Sequence, residues 1–281
     1  MSLQYVRIAC GFTDKITVII AILSFLAFRI VSRVRWGKQK RDEIFSERKI
    51  SFCKYFVRDF VIQVHDCRYY FKKSYDSFVP FTNAEQDVHR LINDLLHKGD
   101  VFIDVGCNLG MYAIPSAKRV GSDGQVIAID ASPENILMTK KNAGLNGLTN
   151  VIALNLAISD SEGESAFYLT EQGTSGTLVK GSKFGQIDHQ LIVKTSTLDA
   201  LVSSLNLEKE IQLIKVDIEG SEVECIRGGR HTLQKTKYLV IECHNMQNKK
   251  EIERIVNDSF TLNEIDYKPG LDTFHILCTK K

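Results

Sequence analysis

The sequence predicts an α/β protein: a Rossmann-like, doubly wound sheet, mostly parallel with a terminal antiparallel strand, plus an N-terminal hydrophobic helix. Three observations carry this expectation. Residues 101–105 are a continuous apolar run broken only by Asp104, and they lead into a turn with Gly106 and Gly110. Similar apolar runs that end in acids recur at 125–130, 211–217 and 238–242. Unbroken runs of this kind suit parallel strands buried on both faces. The last two apolar stretches, 260–265 and 273–279, flank Lys268-Pro269-Gly270 and read as an antiparallel pair.

At 281 residues the chain can bury a large core, so one main domain with an extension is the default. The formal net charge of +2 gives no nucleic-acid signature. Seven cysteines are scattered without a Cys-x-x-Cys pair. That pattern favours a reducing compartment and argues against a structural zinc site.

Residues 16–28 carry no charge, and Arg29, Arg33, Arg35, Lys38, Lys40 and Arg41 come directly after them. The uncharged run falls short of the roughly 20 residues that a spanning helix needs. Snorkelling of Arg29 and Arg33 extends it to Val34. A basic cluster after the run, with no small-residue cleavage site, does not fit a secretory signal. Residues 1–41 therefore read as a candidate membrane anchor, with the remainder of the chain on the cytoplasmic face. An interfacial helix and a buried core helix are the competing readings. Residues 42–81 read as an extension or cap, with one or two short strands over 56–64. Tyr69, Tyr70, Phe71, Tyr75 and Phe78 form an aromatic cluster there. Residues 82–281 read as the catalytic domain.

That domain opens with Thr82-Asn83-Ala84-Glu85, which has the form of a capping box. A helix should come next, with Val88, Leu91, Ile92, Leu95 and Leu96 on one face. The strand at 101–105, the glycine turn and the small-residue helix after it place backbone N–H groups at a ligand site. Asp104 inside that strand is costly to bury without a partner, and a cationic ligand group would be one. The dinucleotide fingerprint fails here, because its three glycine places hold Gly106, Asn108 and Met111. Asp130 ends the next strand, where the Rossmann pattern puts a ribose-binding carboxylate. Its competing reading is a cap for the helix beginning Ser132-Pro133-Glu134. Residues 151–157 read as one further strand, with Asp160 just beyond. Asp160 is either an acceptor for an adenine amine or a solvated turn residue.

From 164 to 196 the βα rhythm breaks. Residues 166–169 and 191–194 look like paired strands around a small, polar loop at 173–177. The strand over 211–217 then delivers Asp217, Glu219 and Glu222 with Lys215 to its C-terminal end, where open parallel sheets bind ligands. A surface loop explains Glu222 more readily than Asp217. His244 ends the next strand and suits general base work near neutral pH.

Taken together, Asp104-Val105-Gly106-Cys107-Asn108-Leu109-Gly110, Thr197-Leu198-Asp199, the run 214–222 and Ile241-Glu242-Cys243-His244 resemble the FkbM-type methyltransferase family. The resemblance implies a class I methyltransferase fold and S-adenosylmethionine as cofactor. It implies O-methylation of a hydroxyl on a saccharide, glycolipid or other natural product. Asp104, Gly106, Asn108, Gly110, Asp130 and Asp160 are then the candidate cofactor residues. Asp217, Glu219 and His244 are the candidate proton acceptors. Carboxylates alone do not establish a metal site, and none is assigned. A nicotinamide-dependent Rossmann enzyme and a non-catalytic, membrane-tethered adaptor are the competing functions. Cys107 stands where the family usually has alanine, a small-for-small change.

Overall fold

The computed structural model describes residues 60–64, 66–71, 86–170, 176–179, 187–268 and 273–281. The candidate anchor at 16–34, the capping box at 82–85 and the final turn at 269–270 lie outside the described residues. Among those described, no helix is long and apolar enough to cross a membrane. The chain divides into two compact units, residues 1–84 and 85–281.

In the first unit, β1 (Phe60–Val64) pairs antiparallel with β2 (Cys67–Phe71). Tyr69, Tyr70 and Phe71 of the aromatic cluster thus lie on a strand whose alternation is visible, Tyr69 buried and Tyr70 exposed, while Tyr75 and Phe78 lie outside the described residues.

The second unit begins α1 (Gln86–Leu95), β3 (Val101–Val105), α2 (Ala113–Val120), β4 (Gln125–Asp130), α3 (Pro133–Leu145) and β5 (Val151–Asn155). An inserted group comes next: β6 (Ala157–Ser159), β7 (Gly163–Thr170), β8 (Gly176–Thr177) and β9 (Ile187–Thr197). The chain then runs α4 (Leu198–Ser204), β10 (Ile211–Val216), α5 (Glu222–Arg227), α6 (Arg230–Gln234), β11 (Thr236–Cys243), α7 (Met246–Val256), β12 (Phe260–Lys268) and β13 (Thr273–Lys280).

Seven strands form the central sheet in the order β12-β13-β11-β10-β3-β4-β5. β11, β10, β3, β4 and β5 are parallel. β13 runs antiparallel to β11 and to β12. Both faces of the sheet are covered, as the apolar runs require. Ile103, Val105, Ile129, Val216 and Ile241 belong to one core, and Phe102, Ala128, Leu213 and Val240 to the other.

Two differences from the sequence reading matter for the site. The expected strand over 151–157 is two strands in two sheets. Asn155 donates from Nδ2 to the carbonyls of Asp130 (3.0 Å) and Ala131 (2.8 Å), which ties the chain to the end of β4. The chain then leaves the central sheet, and β6 pairs with β9 in a second sheet of order β6-β9-β7-β8. In addition, Gly176 and Thr177 are the short strand β8, paired to β7, rather than loop. Helix α7 begins at Met246, where the Asn245 side chain caps it by accepting from Asn248 N–H at 2.7 Å.

Candidate active site at the C-terminal edge of the sheet

A cleft of about 640 Å³, partly open to solvent, lies at the carboxyl ends of β3, β4 and β10. Gly106 and Asn108 of the glycine turn line it with Asp130, Ile158, Phe167, Leu178, Asp217 and Glu219, whereas Asp104 and Gly110 are not part of the lining. Strands of an open parallel sheet place ligands at this edge.

The turn after β3 is shaped by close approach. Gly106 has φ +82°, and a Cβ there would lie 1.8 Å from the Asp217 carbonyl oxygen. The N–H groups of Gly106 and Cys107 both donate to Ile129 O at 2.9 Å, so the turn is hung from β4. Asn108 also has positive φ, and its N–H donates to Asp130 Oδ2 at 2.9 Å. From α3, Thr139 Oγ1 donates to Asn108 O, and Asn142 Nδ2 donates to Leu109 O. Gly110, at φ +82°, packs against Ile114 and Thr139.

Asp130 is held as firmly as it holds. Its Oδ1 accepts from Ser132 N–H at 2.8 Å and from Asn135 Nδ2 at 3.1 Å. Burial pushes its carboxyl up to about 6, against the pull of these donors. The cap of α3 is Ser132, which accepts from Asn135 N–H. Asp130 therefore organises the turn as well as facing the cleft.

Asp104 is fully buried, and burial pushes its carboxyl up to about 7 while the charge of Lys215 pulls it down. Neither of its oxygens has a hydrogen-bond partner of acceptable geometry among the described residues, and neither does Asn108 Oδ1. Three buried acceptor atoms around one glycine turn fit a ligand that brings donors or positive charge.

Asp160 is not brought to the cleft. It is exposed, its Oδ1 accepts from Ser161, and it is absent from the lining. The wall near it is apolar instead, made by Leu156, Ala157, Ile158, Phe167 and Leu178. The signal that locates that wall is the alternation of β7, which puts Phe167 and Leu169 on the buried side.

The second cluster is denser than the sequence suggests. Lys215 is 2% exposed, donates to Asp217 Oδ2 at 3.0 Å and lies 4.6 Å above the Tyr112 ring. Burial acts to lower its pKa, but Asp217, Asp104 and Glu242 raise it overall. His244 sits among four carboxylates. Its Nδ1 lies 2.8 Å from Glu222 Oε1 and its Nε2 2.9 Å from Glu219 Oε2. Asp217 and Glu242 are farther from Nε2, at 3.9 and 4.0 Å. Burial pulls the His244 pKa down, but the bonds to Glu219 and Glu222 and the charge of Asp217 outweigh it and hold it near 11. Burial raises Glu219, with His244 acting against the rise. Glu242 also meets His275 Nε2 at 3.2 Å.

Glu222 corrects the surface-loop reading. It is fully buried and accepts from Gly220 N–H at 2.7 Å and Asn248 Nδ2 at 2.9 Å, besides facing His244. Its acidic neighbours on the strand exit disguise it, since α5 is too short to show an apolar period. The Asp217, Glu242 and His244 ligand atoms lie within 4.8 Å of one another. Because Glu219 and Glu222 engage both ring nitrogens of His244, the group forms an ion-pair network. The Thr197-Leu198-Asp199 motif is structural. Thr197 caps α4, and Asp199 accepts from His231 N–H and Thr232 N–H.

A seven-stranded sheet whose last hairpin reverses direction, with a glycine turn after its central strand and an acid ending the next, has the arrangement of a class I methyltransferase. The chain belongs to the FkbM methyltransferase family: the model of the methyltransferase FkbM domain matches residues 104–268. It is an S-adenosylmethionine-dependent methyltransferase. The hexuronic acid methyltransferase AglP of Haloferax volcanii is 28% identical over 185 residues, covering 65% of this chain and 72% of that one. The 2-O-methyltransferase NoeI of Sinorhizobium fredii is 30% identical over 169 residues, covering 55% and 68%. Among solved structures, M. jannaschii TYW2 in complex with AdoMet aligns at a TM-score of 0.46 and 12% identity, covering 79% of this chain and 85% of that one.

Proposed function

We propose that the protein transfers the S-adenosylmethionine methyl group to a hydroxyl of a saccharide, free or carried on a lipid. The observation that carries this reading is the pair of carboxylates Asp217 and Glu219 lining the cleft, with Lys215 and His244 already paired to them. Carboxylates of this kind accept hydrogen bonds from sugar hydroxyls. The names of the two relatives, one a hexuronic acid methyltransferase and one a 2-O-methyltransferase, support a sugar-type acceptor.

The cofactor supplies a methyl group on a positively charged sulfur, open to attack by oxygen. In this reading Gly106, Asn108 and Gly110 shape the turn that receives it, Asp104 faces its positive charge and Asp130 its ribose. Phe167, Ile158 and Leu178 give the adenine an apolar wall and keep water out. The chain's remaining task is to align the acceptor oxygen and remove its proton. His244 does not suit that removal, since both ring nitrogens already face carboxylates, Nδ1 Glu222 and Nε2 Glu219. Glu219 lines the cleft and has a raised pKa, so it is the favoured proton acceptor, with Asp217 second.

Residues 82–281 carry the reaction in this reading. Residues 16–34 tether them to the cytoplasmic face of a membrane, which the uncharged run and the basic cluster after it support.

A transfer assay with labelled cofactor tests the reading against neutral hexosides, hexuronosides and fractionated lipid-linked glycans. Transfer to a neutral hydroxyl is the expected result. Calorimetry with S-adenosylhomocysteine and NAD addresses the competing functions. Binding of NAD alone would indicate a nicotinamide enzyme, and binding of neither an adaptor.

A further inference from the structure

The turn between β10 and α5 is held in an unusual backbone state. Glu219 has φ +55° and Gly220 φ +109°, so a glutamate occupies the left-handed region in succession with a glycine. A long side chain there is unfavourable and persists only where surroundings determine it. Three side chains do so. Thr177 Oγ1 donates to Glu219 O at 2.8 Å, Asn248 Nδ2 donates to Gly220 O at 3.1 Å, and Glu222 accepts from Gly220 N–H.

Of these, only Glu222 also touches the imidazole. Its Oε1 holds the turn backbone and His244 Nδ1 together, while Oε2 is fixed by Asn248 of α7. The far nitrogen of the same ring meets Glu219. A chain of contacts therefore runs from Glu222 through the ring to the carboxylate that faces the cleft. We infer that Glu222 is a positioning residue for methyl transfer: through His244 it aims Glu219 at the acceptor. This inference rests on Glu219 being the proton acceptor of the proposed reaction.

A fully buried carboxylate is expensive and persists where donors satisfy it. Here it receives two neutral donors and one ring N–H. Among the described residues, the charged groups facing the ring are Glu219 and Asp217 from the exit of β10, Glu222 of α5 and Glu242 of β11, and Asn248 of α7 bonds Glu222. An imidazole bonded to Glu222 through Nδ1, with Glu219 2.9 Å from Nε2, ties the two carboxylates together. Glutamine at 222 keeps the volume and removes the charge that faces Nδ1.

The test uses the full chain, labelled with ¹⁵N, as wild type, Glu222→Gln and Glu222→Asp. Ring nitrogens of His244 are followed by NMR from pH 6 to 10. Affinity for S-adenosylhomocysteine and the pH profile of kcat are measured beside them. The expected wild-type ring stays charged across most of the range. Glu222→Gln should lower its midpoint by at least one pH unit. Affinity for S-adenosylhomocysteine should stay within about threefold, and the kcat profile should change shape. Glu222→Asp should recover part of the shift. A Glu222→Gln ring that titrates like wild type would overturn the inference, as would a kcat that falls by the same factor at every pH. If Glu222→Gln fails to fold, the wild-type spectrum still decides, because a neutral His244 ring at pH 8 overturns the inference and a doubly protonated one supports it. A wild type that does not bind S-adenosylhomocysteine would defeat the reaction reading itself, whatever the ring signals show.

Discussion

Asp104 and Lys215 stand opposite each other in the register of β3 and β10, both buried, yet the Lys215 ammonium closes on Asp217 instead. The alternation of side chains puts this pair on the same face as Glu242 and His275, which are paired in register on β11 and β13. A buried polar row thus crosses four strands near the carboxyl ends of the parallel ones. Asp104 is the member of the row with neither carboxyl oxygen hydrogen-bonded among the described residues.

That position makes stability depend on pH. The carboxyl of Asp104 is ordinarily near 3.8 and lies at about 7 in the fold. Between those values the folded chain binds more protons than the unfolded chain. Stability from this group is therefore complete below pH ~4 and is lost as pH rises through about 7. At about 1.4 kcal/mol per unit, the loss is on the order of a few kcal/mol. Urea denaturation of the cofactor-free wild type should weaken from pH 4 to pH 8. Asp104→Asn should make that slope shallower, leaving the smaller contributions of Asp130 and His244, whose pKa values are also raised, and abolish S-adenosylmethionine binding. An equally steep slope in the variant would show that another group is responsible.

Asp130→Ala should leave the secondary structure intact and weaken cofactor binding. Loss of charged-group hydrogen bonds costs about 1.5–3 kcal/mol, or roughly ten- to a hundredfold in Kd. Part of that loss comes from the turn, since Asn108 N–H loses its acceptor. Calorimetry with S-adenosylhomocysteine reads the change. An unaltered Kd in a folded variant removes Asp130 from the site.

Gly106→Ala should cost several kcal/mol or prevent folding, because its Cβ would collide with backbone that cannot move aside. Gly144→Ala is the matched control. It lies within α3 with nothing within 4 Å of an added Cβ, so alanine should stabilise by about 0.5–1 kcal/mol. Thermal melts of the two variants should move in opposite directions.

Deleting residues 1–41 should release the protein from the membrane fraction and preserve S-adenosylmethionine binding, since every cofactor residue lies at or beyond Asp104. A full-length chain that stays wholly soluble, with a truncation that precipitates, would instead mark that segment as part of a core.

The central sheet was legible because its strands are apolar throughout, and Asp104, Asp130 and Asp217 announce the ends that matter. Gly106 and Gly110 were legible because the turn needs positive φ at both. Glu222 was not, because burial of an acid is decided by partners distant in sequence, His244 and Asn248 among them. Asp160 misled for the opposite reason: its spacing was right for the loop, but β6 diverts that loop into another sheet. His244 was found by type and place, while its charge state depends on carboxylates from three elements. Helices α5 and α6, at 6 and 5 residues, offer too few turns to display a period.

The inserted sheet enters after β5 and returns directly to α4, so two adjacent crossing points contain it. Phe167, Gly176 and Leu178 come from within it, whereas the glycine turn and the carboxylates come from the sheet it interrupts. One wall of the cleft is therefore a cassette. A chimera that exchanged residues 160–194 with those of a relative would transplant Phe167, Gly176 and Leu178 and leave the strand order untouched. The apolar wall and the carboxylate cluster can then diversify separately, because they reside on separable pieces of chain.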